Sequence, residues 1–217
     1  MTIFDLMNTR QSVRSFDTSR PVEEEKLETM IRAGMNAPSA MGQHAWRMLT
    51  VTDPDLLSRI SDHGKWWKML KACPLGIVML TDTDQLGGLP EEYQVVSNAA
   101  AAENILLAAH ALGLGGVYLG LSRDDSGYEG LAQLLNVPRN LRITGILAVG
   151  YPEKELNAPE DRLIPQNGCV STCNADGEAG WKNAIIWALI SAPLPSRQRC
   201  LTTTGKKCCI MLRNMIC

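Results

Sequence analysis

The chain has 217 residues, 45% of them apolar, and a formal net charge of −2. That is enough apolar matter for the core of one domain, or one with an appendage, and too little positive charge to suggest nucleic acid or an anionic membrane surface as partner. The apolar runs fall short of the roughly 20 residues a membrane span needs, and the first residues do not read as a signal peptide, so the expectation is a soluble, cytoplasmic protein.

In chain order, Thr2 to Thr9 reads as a short helix with Thr2 and Asp5 as a cap pair. Gln11 to Ser19 reads as a loop. Pro21 and the following "VEEEKLETMIRAGMNA" predict a helix with proline in its first turn and Leu27, Met30, Ile31 and Met35 on its apolar face. "APSAMGQHAW" is a loop by its Pro, Ser and Gly. "WRMLTVT" alternates as a strand does, and Asp53-Pro54 opens another helix to about Asp62. "CPLGIVMLT" is apolar throughout, the mark of a strand buried on both faces. Glu91 to Leu112 is the longest predicted helix and is rich in alanine. "GGVYLGL", "SGYEGLAQLLNV" and "RITGILAVGYP" complete the series as strand, helix and strand. This irregular alternation predicts an α+β fold, a sheet with helices packed on it.

Cysteine use breaks near residue 167. Cys73 stands alone before it, whereas Cys169, Cys173, Cys200, Cys208, Cys209 and Cys217 follow it. The last fifty residues have no clean period apart from "WKNAIIWALI". The expectation is therefore a domain over residues 1–167 and an atypical, poorly ordered cysteine-rich tail over 168–217.

The glycines of "LGLGGVYLG" do not make a dinucleotide loop, because position six of the fingerprint is Tyr118 and the glycines precede a strand instead of following one. Gly113 or Gly115 reads as a helix C-cap. No cysteine or histidine spacing suggests a metal site. Cys73 reads as a buried inert thiol, and His63 and His110 as surface and packing residues. The arginines of "NTRQSVRSF" are more suggestive. Arg10 and Ser12, two apart in an extended segment, share a face, and an Arg fork beside a hydroxyl matches a phosphate. The alternative is a solvated basic loop that pairs with the Glu23–Glu25 run.

"RQSVRSF", "APSAMGQHAW", "AAAAENILLAAHALGLGGVYLG" and "ILAVGYP" stand in an order and spacing that resemble the nitroreductase-like flavoproteins. The resemblance runs from about Thr2 to Gln166. It implies a mixed sheet flanked by helices, a homodimer with FMN at the interface, and NAD(P)H as reductant for nitroaromatic, quinone or similar acceptors. It implies that Arg10 and Ser12 hold the FMN phosphate, with Gln11 helping through its backbone, and that Arg14 faces the flavin O2 or ribityl chain. Pro38, Ser39 and Ala40 match a loop that lies on the flavin from the partner subunit. Gly120 matches the residue whose N–H is aimed at flavin N5, with Leu121 beside it on the same face. Lys65 and Lys68 fall near the pyrimidine edge, and Arg162 returns to the phosphate. The mechanism implied is ping-pong, needing no catalytic acid–base side chain; a flavin-storing protein, or one disabled by its tail, is the alternative. This chain departs from the pattern at Gly42, where the family usually has Asn, at His44-Ala45, where it has Gln-Pro, and at Glu160, where it has a basic residue.

Overall fold

The computed structural model describes residues 2–157 and Pro159. The tail over 168–217, its "WKNAIIWALI" segment, Glu160 and Arg162 lie outside the described residues. Within them the elements are α1 (Ile3–Thr9), α2 (Glu24–Met35), β1 (Trp46–Val51), α3 (Pro54–Ser61), β2 (Leu75–Asp82), α4 (Glu92–Ala111), β3 (Gly115–Gly120), α5 (Tyr128–Leu134) and β4 (Leu141–Gly150).

The four strands form one sheet in the order β1-β2-β4-β3, each neighbouring pair antiparallel. Among the described residues, parallel pairing is confined to a single bridge between Ser12 and Gly116. All eight residues of β2 and the last eight of β4 are buried, as their unbroken apolar character demands. The two-residue repeat sorts their side chains. Val78, Leu80, Val117, Leu119, Ile146 and Ala148 meet Leu57, Ile60, Leu70 and Leu131 in one core cluster. Ile77, Met79, Leu147 and Val149 join Met30, Ala101, Ile105 and Ala109 in the other. The sheet is thus the middle layer, with α3 and α5 contributing to one side and α2 and α4 to the other. The α+β expectation is borne out.

Local signals place the helix ends. Thr2 and Asp5 form the full reciprocal capping box of α1, and Asp53 caps α3 by accepting from Asp55 N and Leu56 N. Gly113, at φ +76°, takes the left-handed position after α4. Gly115 instead lies in β3, where a Cβ would stand 2.5 Å from Val13 Cγ2. Two expectations for α2 are corrected. The helix opens after Glu23, so Pro21 precedes its first turn. Met35 is 48% exposed, because the last turn meets α4 through Gly34, whose missing side chain leaves space filled by Ile105 and Met48.

Gly145 of β4 faces Gly120 of β3. A Cβ at Gly145 would lie 2.6 Å from Tyr118 Oη and 2.9 Å from Leu119 O. The first contact would also disturb the Tyr118 hydroxyl that donates to Thr144 O at 2.9 Å. Gly145→Ala is expected to cost about 1–3 kcal/mol, the range for overpacking a filled interior, read as a lower urea midpoint with an unchanged slope.

Candidate functional site

The segment after α1 is held by the core beneath it. Val13 N donates to Gly116 O at 3.0 Å, Asp17 N to Tyr151 O at 2.9 Å, and Glu153 N to Ser15 O at 3.1 Å. Val13 and Phe16 are each only 4% exposed. With Val13 turned inward, the alternation of an extended chain turns Ser12 and Arg14 outward, and both are exposed. Gln11 Nε2 donates to Asn157 O at 2.6 Å. Arg10 ends α1, and its side chain is 17% exposed.

Neither arginine pairs with the Glu23–Glu25 run. Glu23 accepts from Tyr151 Oη at 2.6 and 2.8 Å and lies 3.5 Å from Lys26 Nζ. Arg10 instead meets Glu103 of α4, Nε to Oε1 at 3.0 Å. Among the described residues no carboxylate pairs with Arg14. One residue before Arg10, the Thr9 hydroxyl donates to Asp5 O at 2.6 Å and lies 2.8 Å from His110 Nε2, also on α4. With the hydroxyl proton committed to Asp5, the ring N–H is the donor. Burial first, and then the charge of Arg10, pull the His110 pKa below the ordinary histidine value.

Gly120 closes β3, which lies at one edge of the sheet. Gly116 turns its carbonyl away from β4, toward Val13. Gly120, two repeats further on, therefore turns its N–H toward the same outer edge. At about 3.3 Å per residue, the strand carries it about 13 Å from the Ser12 bridge. Leu121 does not share this aspect. It lies past the strand end and packs against the α3–α5 core cluster, because adjacent residues of an extended chain point oppositely.

The loop at 37–45 holds three left-handed residues within four positions. Met41, Gly42 and His44 all have left-handed φ values of +50°, +65° and +47°. Glycine and asparagine are the residues that tolerate this region, so Gly42 meets a backbone requirement that asparagine also meets. The His44 N–H donates to Ser39 Oγ at 3.1 Å, and the His44 ring meets Trp46 edge-on at 5.3 Å, so His44 closes the loop upon itself. Ala40 N donates to Ser97 Oγ on α4 at 3.1 Å. Pro38 is exposed and Ser39 and Ala40 half-buried. Behind the loop lies a small cavity lined in part by Trp46, Thr81, Gln94 and Asn98. Trp46 Nε1, both amide atoms of Gln94 and Asn98 Oδ1 are buried there without a partner among the described residues.

The Lys65 and Lys68 side chains make no hydrogen bond or ion pair among the described residues. Both are exposed; Lys65 Nζ lies 5.0 Å over the Trp66 ring, and Lys68 begins a short 3-10 turn over Lys68–Ala72. Arg162 falls outside the described residues. Cys73 is 6% exposed and its thiol is pushed up to about 11 by burial, which agrees with an inert packing role. No metal-binding cluster occurs among the described residues.

Two residues on α4, Ser97 and Glu103, escaped sequence reasoning, as did the Thr9 contact of His110, which the sequence marks only as a packing residue. The signal was available as polar residues interrupting an alanine-rich helix, but nothing in the sequence says which loop each will meet. Ser97 and Glu103 are six residues apart, about 120° around the helix from one another. The 37–45 loop and Arg10 therefore reach different sides of α4 among the described residues.

The model of the nitroreductase family matches residues 7–67 and 61–151. The chain belongs to the nitroreductase family. It is 33% identical, over 162 residues, to an Archaeoglobus fulgidus protein named as an NADH dehydrogenase/NAD(P)H nitroreductase; the match spans 74% of this chain and 92% of that one. A crystal structure of a Clostridium acetobutylicum protein named as an NADH oxidase superposes with a TM-score of 0.71 at 35% identity, covering 76% of this chain and 98% of the other. An FMN-dependent nitroreductase from Clostridium difficile superposes with a TM-score of 0.66 at 26% identity, covering 74% and 94%. The matched region begins just before Arg10 and Ser12 and ends at Tyr151, so it takes in both of the segments tied together by the contacts described above.

The lowered His110 pKa has a signed consequence. Between the folded and ordinary histidine values the unfolded chain binds more protons, so stability from this group is present above about pH 6.5 and is lost as pH falls through it. The fall in urea midpoint between pH 7.5 and pH 5.5 is expected to be smaller in His110→Gln, which keeps a donor for Thr9, than in the unaltered protein.

Proposed function

We propose that the chain is an FMN-dependent oxidoreductase that takes hydride from NAD(P)H and passes it to a nitroaromatic, quinone or similar small acceptor by a ping-pong route. The observation that carries this reading is the donor set on the β3 edge: the Arg10 guanidinium, the Ser12 hydroxyl and the Arg14 guanidinium, fixed by the Val13–Gly116 hydrogen bond, with an outward Gly120 N–H further along the same strand. An Arg10 fork and the Ser12 hydroxyl fit a phosphate monoester, which carries about −1.5 to −2 charge and three acceptor oxygens, and leave the Arg14 cation for another part of the ligand. Membership of the nitroreductase family and the FMN dependence of the Clostridium difficile relative support the cofactor.

Arg10 and Ser12 would hold the phosphate, with the Gln11 backbone beside them. Arg14 would stand by the ribityl chain or the O2 edge, where a fixed cation favours negative charge on a reduced ring. Gly120 N–H would be the donor at N5. Bound FMN supplies the hydride acceptance and delivery; the protein positions both substrates and excludes competing reactions. No acid–base side chain is required if water supplies protons. Lys65 and Lys68 are less central to this reading, and Arg162 would add a further cation.

The second half of the site would come from another copy. Pro38, Ser39 and Ala40 lie on a different side of α4 from Arg10, and a homodimer would bring the two halves together. Exposed apolar residues support such an interface: Ile3, Phe4 and Met7 on α1, Val95 and Val96 on α4, and Met41, which is 80% exposed. A cytoplasmic location fits the free Cys73 thiol. The family match ends at residue 151, which supports residues 1–167 as the working domain.

Arg10→Ala is expected to lower FMN affinity by roughly 1.5–3 kcal/mol, about ten- to a hundredfold, measured by flavin fluorescence titration. Arg14→Ala should slow flavin reduction more than it weakens binding. Anaerobic NADH or NADPH should bleach the yellow protein; a yellow protein that never bleaches would be a flavin store. Sedimentation of the loaded protein at micromolar concentration should give a dimer, and truncation after Asn167 should leave colour and nicotinamide oxidation intact.

A further inference from the structure

We propose that Glu103 competes with the cofactor phosphate for Arg10, so that this one carboxylate lowers the affinity for FMN relative to unphosphorylated flavin. The inference rests on the reading of Arg10 as a phosphate ligand.

α4 contains two acidic residues, Glu92 in its first turn and Glu103 in its middle. Glu92 sits where the helix dipole favours an acid. Glu103 has no such reason for its place. It interrupts an alanine-rich run, and its carboxylate meets Arg10 Nε at 3.0 Å. The Glu103 side chain is 50% exposed and that of Arg10 17% exposed, so the pair sits at the rim of the structure, where an incoming anion can reach the guanidinium. With its carboxylate half in solvent, the pair contributes little to stability. Its effect on a ligand of the same sign is different. A phosphate bound to Arg10 would share one guanidinium with a carboxylate, and the two anions repel through whatever solvent separates them. Riboflavin has no phosphate and would not feel Glu103 in this way. The nearest alternative gives the opposite sign: if Glu103 aims Arg10 at the phosphate, removing the carboxylate must weaken FMN.

The test titrates flavin-free, full-length protein with FMN and with riboflavin, following flavin fluorescence. Glu103→Gln keeps the side-chain length and a good helix former. It is expected to tighten FMN about two- to fivefold, the range an exposed charge pair can supply, and to leave riboflavin unchanged. Glu103→Ala should do the same, and Glu103→Asp, which keeps the charge, should retain the unaltered ratio of the two affinities. The inhibition constant of inorganic phosphate against FMN should fall by a similar factor in Glu103→Gln. Weaker FMN binding in Glu103→Gln, an unchanged affinity, or an equal shift for both flavins would overturn the proposal. Arg10→Ala separates the two levels. It must abolish most of the advantage of FMN over riboflavin; if that advantage persists, the phosphate reading itself fails and the role of Glu103 falls with it, whereas its loss beside an inert Glu103→Gln overturns Glu103 alone.

Discussion

The burial of Val13 is the constraint from which the candidate site follows. Its side chain occupies the space that the absent Cβ of Gly115 leaves open, and its N–H is fixed on Gly116 O. An extended segment pinned by one inward side chain has no freedom to choose where its neighbours point. Ser12 and Arg14 must face solvent, and Arg10 must arrive beside α4. Burying a valine contributes about 1.5–3 kcal/mol, comparable to a charge-assisted hydrogen bond, so the core fixes this polar cluster as firmly as its own contacts do. Phe16 repeats the anchor three residues later, where Asp17 and Glu153 tie the segment to the end of β4.

The same economy of side chains shapes β3. Gly115 makes room for Val13, and Gly116 brings its carbonyl to the Val13 N–H. Gly120 faces Gly145 across the ladder, and that second glycine is required because Tyr118 Oη fills the place of its side chain. Without a Cβ at Gly120, only Tyr118 Cε1, at 3.8 Å, comes near the place it would occupy, so the outward N–H remains accessible at the sheet edge. In the sequence, Gly115, Gly116 and Gly120 of "LGLGGVYLG" do not fit a dinucleotide motif. Their spacing serves strand packing and backbone access, which is why it follows no phosphate-loop rule.

What the sequence made legible was local chemistry. Thr2 with Asp5, and Asp53 before Pro54, announce helix starts because a side chain three residues or fewer away satisfies a backbone donor. The apolar runs of β2 and β4 announce burial on both faces. What stayed hidden was tertiary. Arg10 has Glu23–Glu25 near it in the chain and meets Glu103 instead, since α1 ends against α4 and not against α2. Met35 has the right helical spacing for the core, yet Gly34 takes the contact, because only a residue without a side chain lets α2 approach α4 so closely. Leu121 follows a motif that matches the family, but the strand ends before it and the core captures it. The four motifs in order were enough to indicate the family, because order and spacing survive where individual contacts cannot be read.

α4 connects these parts. Its alanines at 101, 102 and 109 are buried and let the sheet and α2 come near, so the helix lies within reach of α1, α2 and every strand. Such a helix has little apolar asymmetry to spend, and its few polar residues are consequently free to serve the loops around it. Ser97 holds Ala40, Asn98 holds Thr81, Asn104 Nδ2 donates to Ala33 O at 3.1 Å, Glu103 meets Arg10 and His110 meets Thr9. Together these contacts fix several segments to one rigid rod, the end of α1 at two points, and the pitch of about 5.4 Å per turn sets the distances between them. The arginine segment and the 37–45 loop are both read from this rod, on different sides of it. A site assembled from one of these segments in each of two copies would therefore inherit its geometry from a single helix repeated twice.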